Sequence, residues 1–368
     1  MALTIENVTS ALSGVLDPEL RAPITQLDMV GDISISDSAL AVEIRLTIVG
    51  CPAADTIEAD TRSALESVAG NRTLELTLGV MTPEQRKNLI ERLRKGKAPT
   101  NPFTPDSLTR VIAVSSGKGG VGKSSVTVNL AAAVSQQGFR VGIIDADVFG
   151  FSIPGLLGIP SLQPTQIDDM MLPPVAHDIK VLSIGMFLGS EQAVAWRGPL
   201  LHRTLEQFLT DSYFGDLDFL FLDLPPGTGD IAISVGQLLP HAEILVVTTP
   251  QPSASAVAWR SGDVARQTGQ KVLGVIENMS GVTLADGTRL DVFGSGGGQA
   301  VADRLQVPLL GSLPLSPNLR EAGDEGTPLV IADPDNAVSK HLREIAQKIV
   351  RSGPSKVGKK LPVSQKIS

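Results

Sequence analysis

The feature that most constrains the fold is a glycine-rich turn that follows a short apolar segment. Val111, Ile112 and Val114 form a β-branched run typical of a buried parallel strand. The next turn reads Gly117-Lys-Gly-Gly-Val-Gly-Lys-Ser124, which fits the spacing G-x-x-x-x-G-K-[ST]. In such a loop backbone N–H groups surround phosphates, the last lysine reaches the β- and γ-phosphates, and the hydroxyl binds Mg²⁺. The sequence therefore predicts a strand, a phosphate-binding loop and an amphipathic helix that opens at Ser124.

The loop supplies most of the residues that we expect to bind a nucleotide, ATP. The N-terminus of the following helix adds partial positive charge, which favours phosphate. A glycine-rich turn with an incidental lysine is the alternative, but strand, spacing and helix agree with a phosphate loop. The expected nucleotide contacts, two of them beyond the loop, are Gly117, Lys118, Gly119, Gly120, Val121, Gly122, Lys123, Ser124, Ser125, Asn278 and Pro314.

The length and charge of the chain limit its possible domain organisation and partners. A chain of 368 residues exceeds the usual size of one domain. We expect a small α+β domain at 1–95, a linker at 96–109, a P-loop ATPase domain at 110–350 and a basic disordered tail at 351–368. The tail carries five basic residues and no acid, so a formal charge of −8 leaves about −13 for the remainder. This acidic body argues against nucleic acid as a partner.

The lengths of the apolar runs and the single cysteine limit where in the cell the protein is expected. Every apolar run is shorter than the roughly 18 to 20 residues that span a bilayer, and the N-terminus lacks the basic region of a signal peptide. We therefore expect a cytoplasmic protein without a membrane partner. Cys51 is the only cysteine, which excludes an intrachain disulfide and a zinc ribbon.

The first 95 residues have the pattern of a compact α+β unit. The spacing of Ile5, Val8 and Leu12 predicts a first helix. Further along, the pattern predicts strands at 32–36, 41–48 and 73–78 and helices at 53–68 and 83–93. Cys51 follows a strand and precedes a helix, where a thiol can have a lowered pKa and become reactive. A small buried apolar side chain is the alternative interpretation.

Beyond a proline-rich linker, strands and helices alternate, and carboxylates follow the strands. This repeat predicts an α/β fold with a parallel sheet flanked by helices, in which ligands bind at the carboxyl ends of the strands. Asp145 and Asp147 end one buried strand and Asp223 ends another. We expect Asp145, Asp223 and Ser124 to hold Mg²⁺ and Asp147 to orient the attacking water. Asn278 and Pro314 follow later strands, and we expect the Asn278 amide to pair with adenine and the backbone near Pro314 to line the base pocket.

A second lysine in the loop, Lys118, makes the pattern K-G-G-V-G-K-S resemble the deviant Walker A motif of the MinD/ParA class. The resemblance implies a homodimer that sandwiches nucleotide, with Lys118 reaching the partner's phosphates. Lys118, Lys123 and Asp147 are accordingly the expected catalytic residues. A solvated loop lysine is the alternative for Lys118.

Further motifs resemble the Mrp/ApbC family over about 240 residues, in unbroken order. They are Trp196-Arg-Gly-Pro-Leu200, Leu224-Pro-Pro-Gly-Thr-Gly-Asp230, Val247-Thr-Thr-Pro250, Glu277-Asn-Met-Ser280 and Phe293-Gly-Ser-Gly-Gly-Gly298. Leu16-Asp-Pro-Glu-Leu20 and Leu46-Thr-Ile-Val-Gly-Cys-Pro52 resemble the iron-sulfur maturation domain that often precedes such ATPases. The resemblance implies an ATP-hydrolysing carrier that passes iron-sulfur clusters from assembly factors to apoproteins, with Cys51 as a cluster ligand. The linker at 96–109 would let the domain that contains Cys51 reach clients.

One departure from that family concerns its C-x-x-C motif, whose thiolates hold a cluster at the dimer interface. Leu284 and Gly287 stand where those cysteines would fall, and neither side chain can bind iron. Two alternatives to a carrier therefore stay open: a positioning switch of the MinD/ParA kind, and an ATPase regulator that has lost the cluster.

Overall fold

A central sheet of eight strands organises the larger part of the molecule. The structure is a computed structural model that describes residues 3–96, 98–148, 150–187, 198–284 and 286–353. The first strand of this sheet, Arg110–Ser116, lies in its middle because later strands add on both sides. In sheet order the strands are β10 (Val175–Ala176), β11 (Ile179–Ser183), β7 (Val141–Asp145), β12 (Phe219–Asp223), β6 (Arg110–Ser116), β13 (Glu243–Thr248), β14 (Lys271–Glu277) and β17 (Leu309–Ser312).

Neighbouring strands in this sheet are parallel except at one edge, where β10 pairs antiparallel with β11. Helices pack on both faces of the sheet, and each face carries its own apolar core. The prediction of an α/β fold with a parallel sheet is confirmed. The helices of this part are α4 (Lys123–Ser135), α5 (Ile153–Leu156), α6 (Gly198–Thr210), α7 (Asp230–Leu238), α8 (Pro252–Gln267), α9 (Gly297–Leu305), α10 (Pro317–Asp324), α11 (Leu329–Ala332) and α12 (Ala337–Arg351).

The helix after the phosphate loop differs from its prediction. We expected α4 to be amphipathic, but its residues from Val126 to Val134 are all buried. The reason is that α11 and α12 cover the side of α4 that faces away from the sheet. A helix enclosed in this way is held rigidly behind the loop.

The N-terminal unit is built on a three-stranded sheet. Its elements are α1 (Ile5–Leu12), β1 (Leu16–Asp17), β2 (Ala22–Pro23), β3 (Val30–Ile35), β4 (Ala39–Leu46), α2 (Ala54–Ala69), β5 (Thr73–Val80) and α3 (Pro83–Leu93). β4 pairs antiparallel with β3 and parallel with β5. Alternate residues of β4 are buried, so one face of this sheet is covered by apolar contacts.

Two small hairpins extend from the larger part and were absent from the sequence prediction. They are β8 (Thr165–Ile167) with β9 (Met170–Leu172), and β15 (Val282–Thr283) with β16 (Arg289–Leu290). Ile167, Met170 and Leu172 of the first hairpin belong to the apolar core of the N-terminal unit. Arg86 and Arg94 of that unit form ion pairs of 3.3 and 2.8 Å with the acids at the turn of this hairpin.

The segment predicted as a linker, residues 96–109, contacts the larger part of the molecule. Phe103 is buried against Phe214, and the Asn101 side chain donates a hydrogen bond to the Leu238 carbonyl. The shared core around Ile167 fixes the N-terminal unit to the larger part. Within the described ranges, no helix is long and apolar enough to cross a membrane. Of the tail predicted at 351–368, residues 354–368 lie outside the described residues, as do Trp196 and Arg197.

Candidate functional site

A cavity of about 560 Å³ opens where the phosphate loop leaves β6. Gly120 and Gly122 have φ angles of 76° and 79°, in the left-handed region that favours glycine. Gly117 has no room for a side chain, since a Cβ would lie 2.4 Å from the backbone nitrogen of Ala258 in α8. These glycines let the backbone wrap a space of phosphate size. The loop residues that line the cavity are Lys118, Gly119, Gly120, Val121, Gly122, Lys123, Ser124 and Ser125.

Lys123 lies at the floor of the cavity among carboxylates. Its Nζ is 2.6 Å from Asp223 Oδ2 and 3.6 Å from Asp147 Oδ2. Ser124 Oγ donates a 2.5 Å hydrogen bond to the same Asp223 oxygen. Thr127, one helical turn after Lys123, donates to the other oxygen of Asp223 at 2.8 Å. Asp223 therefore holds the Lys123 ammonium and the Ser124 hydroxyl in one hydrogen-bonded group.

Asp145 lies beside Asp223 because the two are register partners at the ends of β7 and β12. Burial and then the neighbouring Asp223 carboxylate raise the pKa of Asp145 to about 7. Its oxygens accept hydrogen bonds from the Asp147 N–H, the Ile153 N–H and the Ser183 hydroxyl. Asp145 thus orients the backbone at Asp147. Its side chain is fully buried beneath the cavity, and its expected role as a Mg²⁺ ligand stays a prediction.

Lys118 lies at the rim of the cavity, held by residues of its own chain. Its Nζ donates to Gln251 Oε1 at 3.1 Å and to Ser253 Oγ at 3.3 Å, both at the start of α8. These acceptors are neutral, but the donor is charged, and a hydrogen bond of this kind contributes about 1.5–3 kcal/mol. A phosphate, which carries a full negative charge, is a stronger acceptor for Lys118 than either of them.

Asn278 and Pro314 follow β14 and β17, as expected of residues near a base. The Asn278 amide nitrogen, however, donates to the Val121 carbonyl at 2.9 Å, and the side chain is only 3% exposed. In this conformation Asn278 braces the phosphate loop from behind. Pairing with adenine would require that hydrogen bond to break or the amide oxygen to serve instead.

The oxygen atoms at the floor fit a hard divalent cation. Carboxylates and a hydroxyl are the ligands that Mg²⁺ prefers, and Mg²⁺ completes its octahedron with water and substrate phosphates. Ser124 and Asp223 meet within 2.5 Å and supply two such donors. Elsewhere too, the described part of the chain contains no group of three His, Cys, Asp or Glu side chains that could hold a metal ion.

Cys51 lies far from this arrangement, in the core of the N-terminal unit. It is only 5% exposed. Of the two interpretations of Cys51, the structure shows the small buried side chain. Burial raises the pKa of Cys51, and the carboxylates of Glu19 and Asp17 add to the effect. A ligand role for Cys51 therefore requires the surrounding loop to open.

Sequence reasoning missed four polar residues that support the site: Thr127, Ser183, Gln251 and Ser253. Thr127 could have been found, because position i+4 from Lys123 shares its helix face. Ser183 lies on a strand that was not predicted, and the α8 residues contact Lys118 only through the tertiary fold. From the Pro-Pro-Gly-Thr-Gly turn, Pro225, Pro226 and Gly229 line the cavity.

Comparison with known proteins places this chain in a family. Residues 107–350 match the family model described as ParA, NUBPL iron-transfer P-loop NTPase, and residues 5–76 match the model for iron-sulfur cluster assembly protein. A protein from Mycobacterium tuberculosis named iron-sulfur cluster carrier protein is 54% identical to this chain, over 92% of this chain and 91% of its own length. A protein of the same name from Bacillus subtilis is 36% identical, over 94% of this chain and 97% of its own length.

Solved structures of nucleotide-binding proteins also resemble this chain. A nucleotide-binding protein from Archaeoglobus fulgidus in complex with ADP matches with a TM-score of 0.55 and 32% identity, over 65% of this chain and 96% of that one. The septum site-determining protein MinD from Pyrococcus horikoshii, complexed with Mg-ADP, matches with a TM-score of 0.51 and 25% identity. The match covers 66% of this chain and 96% of that one. With the phosphate loop, the buried carboxylates and these matches together, the chain belongs to the NUBPL-type iron-transfer P-loop NTPases of the ParA group.

Proposed function

We propose that this protein is an ATP-hydrolysing iron-sulfur cluster carrier that works as a homodimer and transfers clusters to apoproteins. The observation that carries the proposal is the group formed by Lys123, Ser124 and Asp223 at the floor of a cavity open to a nucleotide. The names of the relatives supply the cargo, since proteins 54% and 36% identical are called iron-sulfur cluster carrier proteins.

Nucleotide binding exchanges partners at the floor of the cavity. Lys123 leaves Asp223 and Asp147 for the β- and γ-phosphates, a charge-assisted contact in a largely water-excluded place. Ser124 and Asp223 would hold Mg²⁺, which neutralises phosphate charge when bound. Asn278 and the backbone near Pro314 border the base, and Asp145 keeps the Asp147 backbone in place through its 3.1 Å hydrogen bond.

Hydrolysis depends on Asp147 and Lys118. Asp147 is 7% exposed and lines the cavity, where its carboxylate can orient the attacking water. Lys118 leaves its two neutral acceptors and reaches across a dimer to the partner's phosphates. Charge stabilisation by a cation supplied in trans is worth about 10³ or more in rate.

Cluster handling falls to Cys51, the one thiol in the chain. A cluster usually takes four thiolates, and a homodimer offers two Cys51 side chains. The remaining ligands would come from a small thiol, an assembly factor or the client. Because Cys51 is buried, the loop around it must open for the cluster to bind.

The test is anaerobic reconstitution with iron, sulfide and a small thiol, followed by transfer to an apo-enzyme. Native protein is compared with Cys51→Ser and with Lys123→Ala by visible charge-transfer absorption and by the recovered activity of the client. We expect Cys51→Ser to lose loading and Lys123→Ala to load but transfer without response to ATP. Equal loading and transfer by native protein and Cys51→Ser would remove Cys51 from the mechanism. Failure of native protein to load with any thiol would favour the regulator that has lost its cluster.

A further inference from the structure

A buried lysine lies where the larger part of the molecule meets the N-terminal unit. Lys180, in β11, is 2% exposed, and its Nζ donates a 3.2 Å hydrogen bond to the Tyr213 carbonyl. The same ammonium lies 5.1 Å from the centroid of the Tyr213 ring. A cation removed from water in this way is destabilised unless nearby negative charge compensates. Burial lowers the pKa of Lys180 to about 8, and the carboxylates of Asp17 and Glu19, both in the N-terminal unit, oppose that fall.

The acid pair formed by Asp17 and Glu19 is held from both sides. Within the N-terminal unit, Asp17 Oδ1 accepts hydrogen bonds from the Glu19 N–H at 2.9 Å and the Leu20 N–H at 2.8 Å. From the larger part, Thr165 Oγ1 donates to Glu19 Oε1 at 2.7 Å. Thr165, Glu19 and Asp17 are all buried, so water weakens these contacts little. The two parts are therefore joined by a buried polar contact as well as by the apolar core around Ile167.

This polar contact adjoins Cys51. The Glu19 and Asp17 carboxylates add to the effect of burial on the pKa of the Cys51 thiol, so the three groups lie close enough to interact. Cys51 also belongs to the same apolar cluster as Ile167, which follows Thr165 by two residues. The larger part is therefore attached to the N-terminal unit through the residues that neighbour the thiol.

Two ion pairs across the same boundary lie at its surface. Arg86 and Arg94 pair with Asp168 and Asp169, whose side chains are 44% and 64% exposed. Exposed ion pairs contribute little, because water and salt screen them. A hydrogen bond to a buried carboxylate contributes more, and its loss leaves an unpaired buried group. The buried contacts are therefore expected to hold the boundary more strongly than these surface pairs.

We propose that Thr165 and Lys180 form a latch on Asp17 and Glu19, which keeps the N-terminal unit closed around Cys51 and whose release makes the thiol accessible. The ATPase part of the chain thus controls access to Cys51 without adding a ligand of its own. The use of the latch rests on the proposed function, because a carrier that binds a cluster at Cys51 needs that thiol to be reached. The latch itself belongs to the chain without its cargo.

The experiment measures the rate at which iodoacetamide alkylates Cys51 in the full-length protein at pH 7, followed by intact mass. Each rate is divided by that of the same variant unfolded in urea. Thr165→Val removes the hydroxyl at nearly constant shape, Thr165→Ser keeps it, and Lys180→Met removes the charge at similar length. Asp169→Asn is the matched control, since it weakens a surface ion pair at the turn of the same hairpin. Urea denaturation gives the global stability of every variant.

We expect Thr165→Val and Lys180→Met to be alkylated about tenfold faster than native protein, up to the rate of the unfolded chain. The reason is that each change removes a charge-assisted partner of a buried carboxylate and so favours the open state by about that factor. Thr165→Ser and Asp169→Asn should stay within about threefold of native. In every variant the rate should exceed the rate that global unfolding alone permits, because the opening is local.

Native alkylation rates in both Thr165→Val and Lys180→Met would overturn the latch. Equal acceleration by Asp169→Asn would overturn it too, because every contact across the boundary would then be equivalent. Rates no faster than global unfolding permits would show that Cys51 is reached only in the unfolded chain, with the same result. If Lys180→Met does not fold, the serine and valine variants of Thr165 decide, and equal acceleration of the two would overturn the latch.

The latch and the proposed function can fail separately. Faster alkylation of the latch variants, together with native protein that loads no cluster, would support the latch and overturn the carrier. Native alkylation rates in the latch variants, together with loss of loading in Cys51→Ser, would overturn the latch and leave the carrier standing.

Discussion

The nucleotide cavity and the surroundings of Cys51 differ in how ready they are to act. At the cavity, Lys123, Ser124 and Asp223 already meet within hydrogen-bonding distance and face an open space. At the other site, Cys51 is 5% exposed among apolar side chains, and burial raises its thiol pKa. The first site can bind its ligand with exchanges of single side chains. The second must open before it can do any chemistry.

If the proposed function holds, this difference is a division of labour, in which a preformed site receives ATP and the closed Cys51 region opens only to bind a cluster.

The largest effect is expected from a substitution at Lys118, in the nucleotide cavity. Lys118→Ala should keep ATP affinity and lower kcat about 10³-fold, because it removes a charge that acts only in the transition state. Steady-state phosphate release measures this. Mixing Lys118→Ala with Asp147→Ala should restore partial activity in heterodimers, whereas absence of rescue would place Lys118 in its own chain's site.

Lys123→Ala tests whether the preformed group binds nucleotide. The lysine supplies a charge-assisted contact worth a few kcal/mol, so ATP affinity should fall about a hundredfold or more. Isothermal calorimetry on the full-length protein gives the dissociation constant. Lys95→Ala is a suitable control, because the side chain of this lysine is 75% exposed just after the end of α3. Native affinity in folded Lys123→Ala would contradict the site.

Ionisation of Glu19 makes the stability of the region around Cys51 depend on pH. Burial raises the pKa of Glu19 from an ordinary 4.5 to about 7, against the 2.7 Å hydrogen bond from Thr165. The folded state thus binds a proton more tightly than the unfolded state, and stability falls as pH rises from about 4.5 to 7. Glu19→Gln keeps an acceptor for Thr165 and removes this pH dependence. The native free energy of unfolding should therefore fall by up to about 3 kcal/mol more than that of the variant over this pH range.

Urea unfolding of native protein and Glu19→Gln at pH 5 and pH 8 gives that difference directly. Asp145, whose pKa is also raised to about 7, contributes equally to both proteins and cancels. Burial lowers the pKa of Lys180 to about 8, so its own contribution changes only between about pH 8 and 10.5. Parallel pH dependence in the two proteins would show that Glu19 ionises freely.

Alkylation of Cys51 gives the smallest expected effect, and its rate reports directly on opening of the loop around Cys51. Because Cys51 is the only cysteine, iodoacetamide consumption reports on it alone. At pH 7 the folded protein should react at least about ten times more slowly than the same protein in urea, since the thiol is buried and its pKa is raised. Acceleration by AMP-PNP and Mg²⁺ would show that nucleotide opens the loop. Equal rates in folded and unfolded protein would contradict the closed state.

The nucleotide half was largely predictable from sequence because its signals are local. The spacing from Gly117 to Ser124 fixes the loop, and strand ends place Asp145 and Asp223 at one edge of the sheet. The state of Cys51 was not predictable in this way. Its position after a strand left open both a reactive thiol and a small buried side chain, because its burial depends on packing among side chains distant in sequence. The hairpin around Ile167 was missed because three-residue strands carry too short a period to detect.

That hairpin also limits how such a chain can be recombined. Ile167, Met170 and Leu172 complete the core of a unit that ends more than seventy residues earlier. A crossover at residues 96–109 would therefore combine an N-terminal unit with a foreign hairpin and leave a mismatched core. Exchange of that unit between relatives should succeed only if residues 165–172 travel with it, so the two segments are expected to be inherited as one block.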